Sequence, residues 1–244
     1  MSNPHLLIGG GGDIGQALAA RLHARNERVV LAGRPSERLQ AAARRFDVEP
    51  IHLDATEPQQ VERVAQQAAE QFGGLASVTN LVGSILLKAA HMTSDEEFEE
   101  TLRTNLYSAF GTVRAAAKTL RKTGGSVVLL STAAARLGLP NHEAIAAAKG
   151  GVTSLALSAA ATYSRYGIRV NVVAPGLVQT ELAKSITSND ASRKASLSMH
   201  PLQRLGEPDD VAATIAHLLH DDSAWITGQV IGVDGGLATL KVQR

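Results

Sequence analysis

The sequence predicts a single doubly wound α/β domain with a parallel sheet of about seven strands. Three observations predict it. Short apolar runs alternate with amphipathic helical patterns through the whole chain. The first run breaks into a glycine cluster that opens a helix. No second domain, internal repeat or low-complexity tail interrupts the 244 residues, a length that suits one large domain with a substantial core.

Composition narrows the function. Apolar residues make up 44 % of the chain and aromatics only 3 %, so Ala, Val and Leu must fill a closely packed core. A formal charge of +1 gives no electrostatic footprint for nucleic acid. Without cysteine there is neither a disulfide framework nor a thiolate metal site. No apolar run is expected to reach membrane-spanning length. The N-terminal MSNPHLLIGG lacks the basic and apolar regions of a secretory signal. A cytoplasmic protein with a small-molecule substrate and no membrane partner is therefore expected.

Taken in order, the run His5–Ile8 enters Gly9-Gly10-Gly11-Gly12-Asp13-Ile14-Gly15, and the helical pattern QALAARLHARN follows. Strand, glycine turn and helix form the context of a dinucleotide fingerprint. The glycines let the backbone approach a pyrophosphate, and the helix N-terminus offers free N–H groups and a positive dipole end. Residues 28–32 (RVVLA) read as the second strand and end in Gly33-Arg34. An acid at this strand end accepts from the 2′-hydroxyl of NAD, whereas an Arg accommodates the 2′-phosphate of NADP. Arg34 therefore favours NADP(H) over NAD(H), with Arg38 one helical turn on as an assistant. A helix over Glu37–Phe46, a strand over 49–53 and Asp54-Ala55 follow. Val61, Val64, Ala65, Ala68, Ala69 and Phe72 then recur at helical spacing, and Gly73-Gly74 ends that helix. Residues 77–82 are the fourth strand, running into Gly83 through Asn80, Leu81 and Val82.

Ser94 with Asp95, Glu96 and Glu97 opens a long helix over about 95–122. The acidic run is its wet face, and Asn105 lies inside it, where an Asn without a role is unfavourable. Gly124-Gly125 leads to the fifth strand, SVVLLS, ending at Ser131-Thr132. After a Gly/Pro/Asn loop, Asn141 is the expected N-cap of an alanine-rich helix. His142, Ile145 and Lys149 are spaced to share one face of it. Residues 168–174 are the sixth strand, followed by Pro175-Gly176-Leu177-Val178-Gln179-Thr180. The polar, weakly periodic segment 177–205 reads as a substrate lid. A helix over 209–220 and a last strand from Ile226 close the chain.

The stretch 127–151, VVLLSTAAARLGLPNHEAIAAAKGG, resembles the active-site segment of the short-chain dehydrogenase/reductase family. That family places Ser or Thr at a strand end, Tyr thirteen residues later and Lys four residues after the Tyr; Thr132 and Lys149 are in register, and Ile145 stands at the Tyr position. The other motifs fall in the same order. The glycine motif matches at Gly9, Ile14 and Gly15, with Ile8 for a Thr and Asp13 for the middle Gly. An Asn-Asn-Ala-Gly motif appears as Asn80-Leu81-Val82-Gly83. A helix Asn is matched by Asn105, a P-G-x-x-x-T loop by Pro175 to Thr180, and the C-terminal pattern by PLQRLGEP and ITGQVIGVDGG. Together they cover nearly the whole chain. The resemblance implies a Rossmann-type domain over 1–244 that binds the cofactor through Gly9, Gly12, Asp13, Ile14, Arg34, Asp54, Ala55, Asn80, Gly83, Lys149, Pro175, Gly176, Val178 and Thr180. It also implies a homo-oligomer, tetramer or dimer, built on the helices around 95–122 and 141–164.

In relatives a hydride moves between nicotinamide and a carbonyl carbon. Tyr exchanges the oxygen's proton, Lys lowers the pKa of that Tyr, Ser or Thr orients the carbonyl, and Asn supports a water chain to the Lys. By that carry-over Asn105, Thr132 and Lys149 are the catalytic set. Ile145 can neither donate nor accept a proton, so either another group serves, with His142, Glu143 and Lys149 as the candidates, or the substrate needs no such acid. The expected function is an NADP(H)-dependent oxidoreductase of carbonyl or alcohol substrates with a non-standard site. The alternative is a catalytically impaired NADP(H)-binding protein acting as sensor or partner subunit. His217 and His220, followed by Asp221-Asp222, read as a solvated helix end and not as a metal site. The G-x-S-x-G elbow of a hydrolase is missing.

Overall fold

Alternating apolar side chains along a strand point to opposite faces, and that period sorts the core into two layers. The computed structural model describes residues 3–241. The first two residues of the N-terminal stretch read above, and residues 242–244 of the expected domain, lie outside the described residues. The strands are β1 (His5–Ile8), β2 (Val29–Gly33), β3 (Ile51–His52), β4 (Ser77–Asn80), β5 (Gly125–Leu130), β6 (Ile168–Pro175) and β7 (Val230–Val233). They form one parallel sheet of seven in the order β3-β2-β1-β4-β5-β6-β7. Leu6 and Ile8 face one side with Val30, Val78, Val127 and Leu129, and meet Val61 and Val64 of α3 (Pro58–Phe72). Leu7 faces the other side with Leu31, Val128 and Val173, and meets Leu18 and Leu22 of α1 (Asp13–His23). The expected doubly wound, Rossmann-type domain is therefore present.

Local chemistry sets the element ends. Ser36 caps α2 (Glu37–Phe46) by accepting from Leu39 N. α3 ends at Gly73 with φ +77°. Ser94 and Glu97 form a reciprocal capping box at the start of α4 (Asp95–Leu102). The strand order reverses between β1 and β4, because α2 and β3 lie on one side of β1 while α3 carries the chain back to the other. Such a switch point opens a crevice at the carboxyl ends of the strands.

Several expected boundaries move. The long helix over 95–122 is three pieces: α4, a π-helical turn at Arg103–Tyr107, and α5 (Ser108–Thr119). Asn141 does not cap the next helix. It turns the chain at φ +62°, a region that Asn tolerates better than most residues, and His142 is the N-cap of α6 (Glu143–Tyr163). The strand expected from Ile226 starts at Val230, after a turn that uses Gly228 at φ +69°. Segment 177–205 contains two short helices, α7 (Lys184–Thr187) and α8 (Asp190–Met199). They precede α9 (Pro208–Leu219). One reading is corrected: Glu143–Tyr166 is long and apolar enough to cross a membrane by length and composition. In the fold Ala148, Val152, Ala156 and Ala159 of that stretch are buried, as in a core helix.

Leu7 is fully buried in β1. Leu7→Ala is expected to cost about 2–5 kcal/mol, measured as a lower urea midpoint at unchanged slope.

Candidate active site at the carboxyl ends of the strands

The crevice begins with the glycine turn. Gly9 takes φ +84°, and a Cβ there would lie 3.2 Å from the backbone of Leu81 and Val82. Only glycine joins β1 to α1 at this approach of the β4 turn. Gly12 is the N-cap of α1 and offers no side-chain cap. Asp13 and Ile14 follow, both half-buried. Asp13 accepts from Glu181 N at 2.8 Å through Oδ2, and its Oδ1 pairs with the Arg38 guanidinium. Arg38 is thus engaged by Asp13.

At the far end of β2, Arg34 is exposed. Asp54 sits beyond β3, and its Oδ1 accepts from Thr56 N at 2.9 Å and Thr56 Oγ1 at 2.8 Å. Those bonds, chiefly the backbone one, and the charge of Arg34 hold the Asp54 carboxyl below its usual range. Ala55 next to it is buried.

The centre of the crevice is built from β4, the π turn, β5 and α6. Asn80 ends β4, accepting from Val82 N at 2.9 Å and donating to Ser108 Oγ at 3.2 Å. This turns the chain so that Gly83 lies against Asn105 and Lys149. A Cβ on Gly83 would sit 3.2 Å from Asn105 Oδ1 and 3.4 Å from Lys149 Nζ. Asn105 lies on the π turn, a helical defect frequent at functional sites. Its Nδ2 donates to Thr101 O and Ser84 Oγ, both at 2.9 Å, and its Oδ1 accepts from Ser84 N at 3.2 Å. Lys149, 7 % exposed, reaches back to β5 and donates to Leu130 O at 2.9 Å. No carboxylate is among its ion-pair partners within the described residues. Burial alone pushes its ammonium down to about 8.

Ser131 ties the helix to the strand end. Its Oγ donates to Lys149 O at 2.9 Å, and Thr153 Oγ1 donates to it at 3.3 Å. Thr132 follows, half-buried, capping a short turn through Ala134 N at 3.3 Å. One helical turn before Lys149 stands Ile145, 5 % exposed. His142 lies outside the helix with its ring Nδ1 donating to Pro140 O at 2.7 Å, so it does not share a helix face with the other two. Pro175 ends β6, and Gly176 faces the buried His200 ring. Val178 is buried beside Gly206, and Thr180 Oγ1 accepts from Ala183 N at 3.2 Å.

The structure brings Gly83, Asn105 and Lys149 together, and Thr132 stands two residues past the carbonyl that holds Lys149. Sequence reasoning missed Leu130 O, which carries no side-chain signal, and Ser131, signalled only by the Ser-Thr pair at the strand end. His217 lies on α9 and His220 just beyond its end. Among the described residues no group of three His, Asp or Glu is placed to hold a metal ion.

A switch-point crevice edged by a glycine turn and floored by a buried lysine defines a dinucleotide-type α/β domain, and comparison places it more narrowly. Residues 11–238 match the family model described as enoyl-(acyl carrier protein) reductase. A tropinone reductase homolog of Arabidopsis thaliana is 32 % identical over 95 % of this chain and 90 % of that protein. A short-chain type dehydrogenase/reductase from Mycobacterium ulcerans superposes with a TM-score of 0.93 at 29 % identity, covering 98 % of this chain and 90 % of that one. ElxO with NADP bound superposes with a TM-score of 0.90 at 29 % identity, covering 98 % and 100 %. The chain belongs to the short-chain dehydrogenase/reductase family of oxidoreductases, whose members bind NAD(P).

Charging Lys149 costs folded stability, because the ammonium leaves water for a buried site. Below pH 8 the cost is fully present. Between pH 8 and 10.5 the folded protein gives up a proton that the unfolded chain keeps, so stability from this group rises. Lys149→Met is expected to raise stability at pH 7 by about 3 kcal/mol. The gain should vanish by about pH 10.5 in denaturation midpoints measured across pH.

Proposed function

We propose that the protein is an NADP(H)-dependent oxidoreductase of carbonyl or alcohol substrates in which Lys149, and not a tyrosine, handles the proton. The supporting observation is a lysine buried in the crevice with its ammonium pushed down to about 8. A general acid or base works best when its pKa lies near the working pH.

The residues present suit a dinucleotide. Gly9, Gly12 and Ile14 surround the N-terminus of α1 and would hold the pyrophosphate. Asp54 and Ala55 would take the adenine, and Arg34 the 2′-phosphate, which underlies the preference for NADP(H). Asn80, Gly83 and Lys149 would face the nicotinamide ribose, and Pro175, Gly176, Val178 and Thr180 the nicotinamide side. When bound, the nicotinamide supplies or accepts the hydride. The chain's own work is then electrostatic. Thr132 donates a hydrogen bond to the substrate oxygen. Lys149 gives that oxygen a proton, directly or through a water near Asn105, and takes it back in the reverse direction. Segment 177–205 closes over the substrate. His142 Nδ1 is committed to Pro140 O, which leaves Lys149 the better-placed proton group.

A second reading rests on Ile145, a buried side chain without a hydroxyl one helical turn before Lys149: an NADP(H)-binding protein of impaired turnover, acting as sensor or partner subunit. Exposed Phe98, Tyr107, Phe110 and Leu157 on α4, α6 and the helices between support a homo-oligomer, dimer or tetramer, built on those helices. Phe110→Glu with Leu157→Glu should reduce its mass in light scattering, and an unchanged mass would argue for another interface.

Titration with NADPH and NADH, then a carbonyl screen, tests the reading. NADPH should bind more tightly. Reduction should fall above about pH 8 and alcohol oxidation should rise there, as the ammonium gives way to the amine. Ile145→Tyr should add about 10²–10⁴-fold to kcat, and His142→Ala should leave it near wild type. Binding without turnover, in wild type and Ile145→Tyr alike, would favour the second reading. Failure to bind either cofactor would remove both.

A further inference from the structure

Asp13 puts a negative charge where the proposed cofactor needs a positive field. It is the first residue of α1, at the helix N-terminus where anions are favoured. Its carboxylate is already spent on the protein. Oδ2 accepts from Glu181 N at 2.8 Å across a sequence separation of 168. Oδ1 pairs with Arg38, the second residue of α2. One half-buried carboxylate therefore joins three parts of the crevice wall: the glycine turn, the helix after β2 and the start of segment 177–205. The two groups it engages, a guanidinium and a backbone N–H, are the kinds that bind phosphate oxygens. Glu181 follows directly on Thr180, whose hydroxyl turns the chain into the segment that carries α7 and α8.

We propose that Asp13 is an internal anion that substitutes for the dinucleotide phosphate and latches segment 177–205 across the glycine turn. The inference rests on the dinucleotide reading above. A phosphate cannot sit beside the same donors while the carboxylate holds them. Entry of the cofactor therefore requires the carboxylate to leave Glu181 N and Arg38. Leaving frees one end of the segment and presents Arg38 to the phosphate. Asp13 thereby weakens cofactor affinity and keeps the substrate segment closed in the cofactor-free protein.

Two readouts on the intact chain test this. The first is limited trypsin cleavage at Lys184, Arg193 and Lys194, all exposed on the segment, without cofactor. The second is the Kd for NADPH by fluorescence titration. Asp13→Asn keeps the shape and removes the charge, and Asp13→Gly removes the side chain. Both should be cleaved several-fold faster than wild type and bind NADPH tenfold or more tightly. Faster cleavage with no NADPH binding by any form would support the latch and remove the dinucleotide reading. Unchanged cleavage and unchanged Kd in folded variants would overturn the latch and leave that reading intact. Weaker NADPH binding in both variants would overturn it too, because Asp13 would then be supporting the cofactor.

Discussion

A primary ammonium buried on α6 has to be held by something. Lys149 meets a backbone carbonyl at the end of β5, and Gly83, with no side chain to intrude, lies close both to it and to the Asn105 amide on the π turn. Among the described residues no opposite charge balances it, so desolvation dominates and pushes the ammonium down to about 8. Much of the surrounding structure can be read as a consequence. Ser131 pins the helix to the strand through Lys149 O. The π turn places Asn105 deep enough to touch Gly83, and Asn80 bends the β4 exit so that Gly83 arrives there. Changing any one of these changes the cavity in which the lysine is held.

The sheet order supplies the frame. The chain leaves β1 through α1 on one face of the sheet and returns to the adjacent β4 through α3 on the other, and the glycine turn and the Asn80 turn meet at that switch point. Two electrostatic centres result. One is the positive end of α1, answered by Asp13. The other is Lys149, answered among the described residues by the Leu130 carbonyl dipole. An intramolecular carboxylate sits at the first, and at the second an ammonium that has no carboxylate partner among the described residues. A molecule with a polar reacting end would complement the second centre, and its anionic phosphates would reach the first only by displacing Asp13.

Period-two alternation and helical spacing read out the layers well, because burial on both sheet faces imposes them: Leu6 and Leu7 fall into different clusters as alternation requires. The glycine turn was legible for the same reason, since Gly9 is demanded by a backbone contact. Asn105 was legible because a mid-helix Asn needs a partner. The π turn around it was not, since an extra residue in a helical ladder leaves no compositional mark. Leu130 O was invisible because any residue has a carbonyl. The partners of Asp13 were hidden by distance along the chain, and a carboxylate beside glycines looks the same whether it faces water or a distant segment. Asn141 was assigned to the wrong cap position, because its tolerance of left-handed backbone competed with its capping chemistry.

The most direct test is the titration of Lys149 itself, by ¹⁵N-detected NMR of the side-chain amine in the cofactor-free protein, with Lys149→Met used to assign the signal. The account predicts a midpoint near pH 8. A midpoint at or above the ordinary lysine value of about 10.4 would mean that the ammonium is hydrated or paired, and would contradict both its burial and its assigned part in proton transfer.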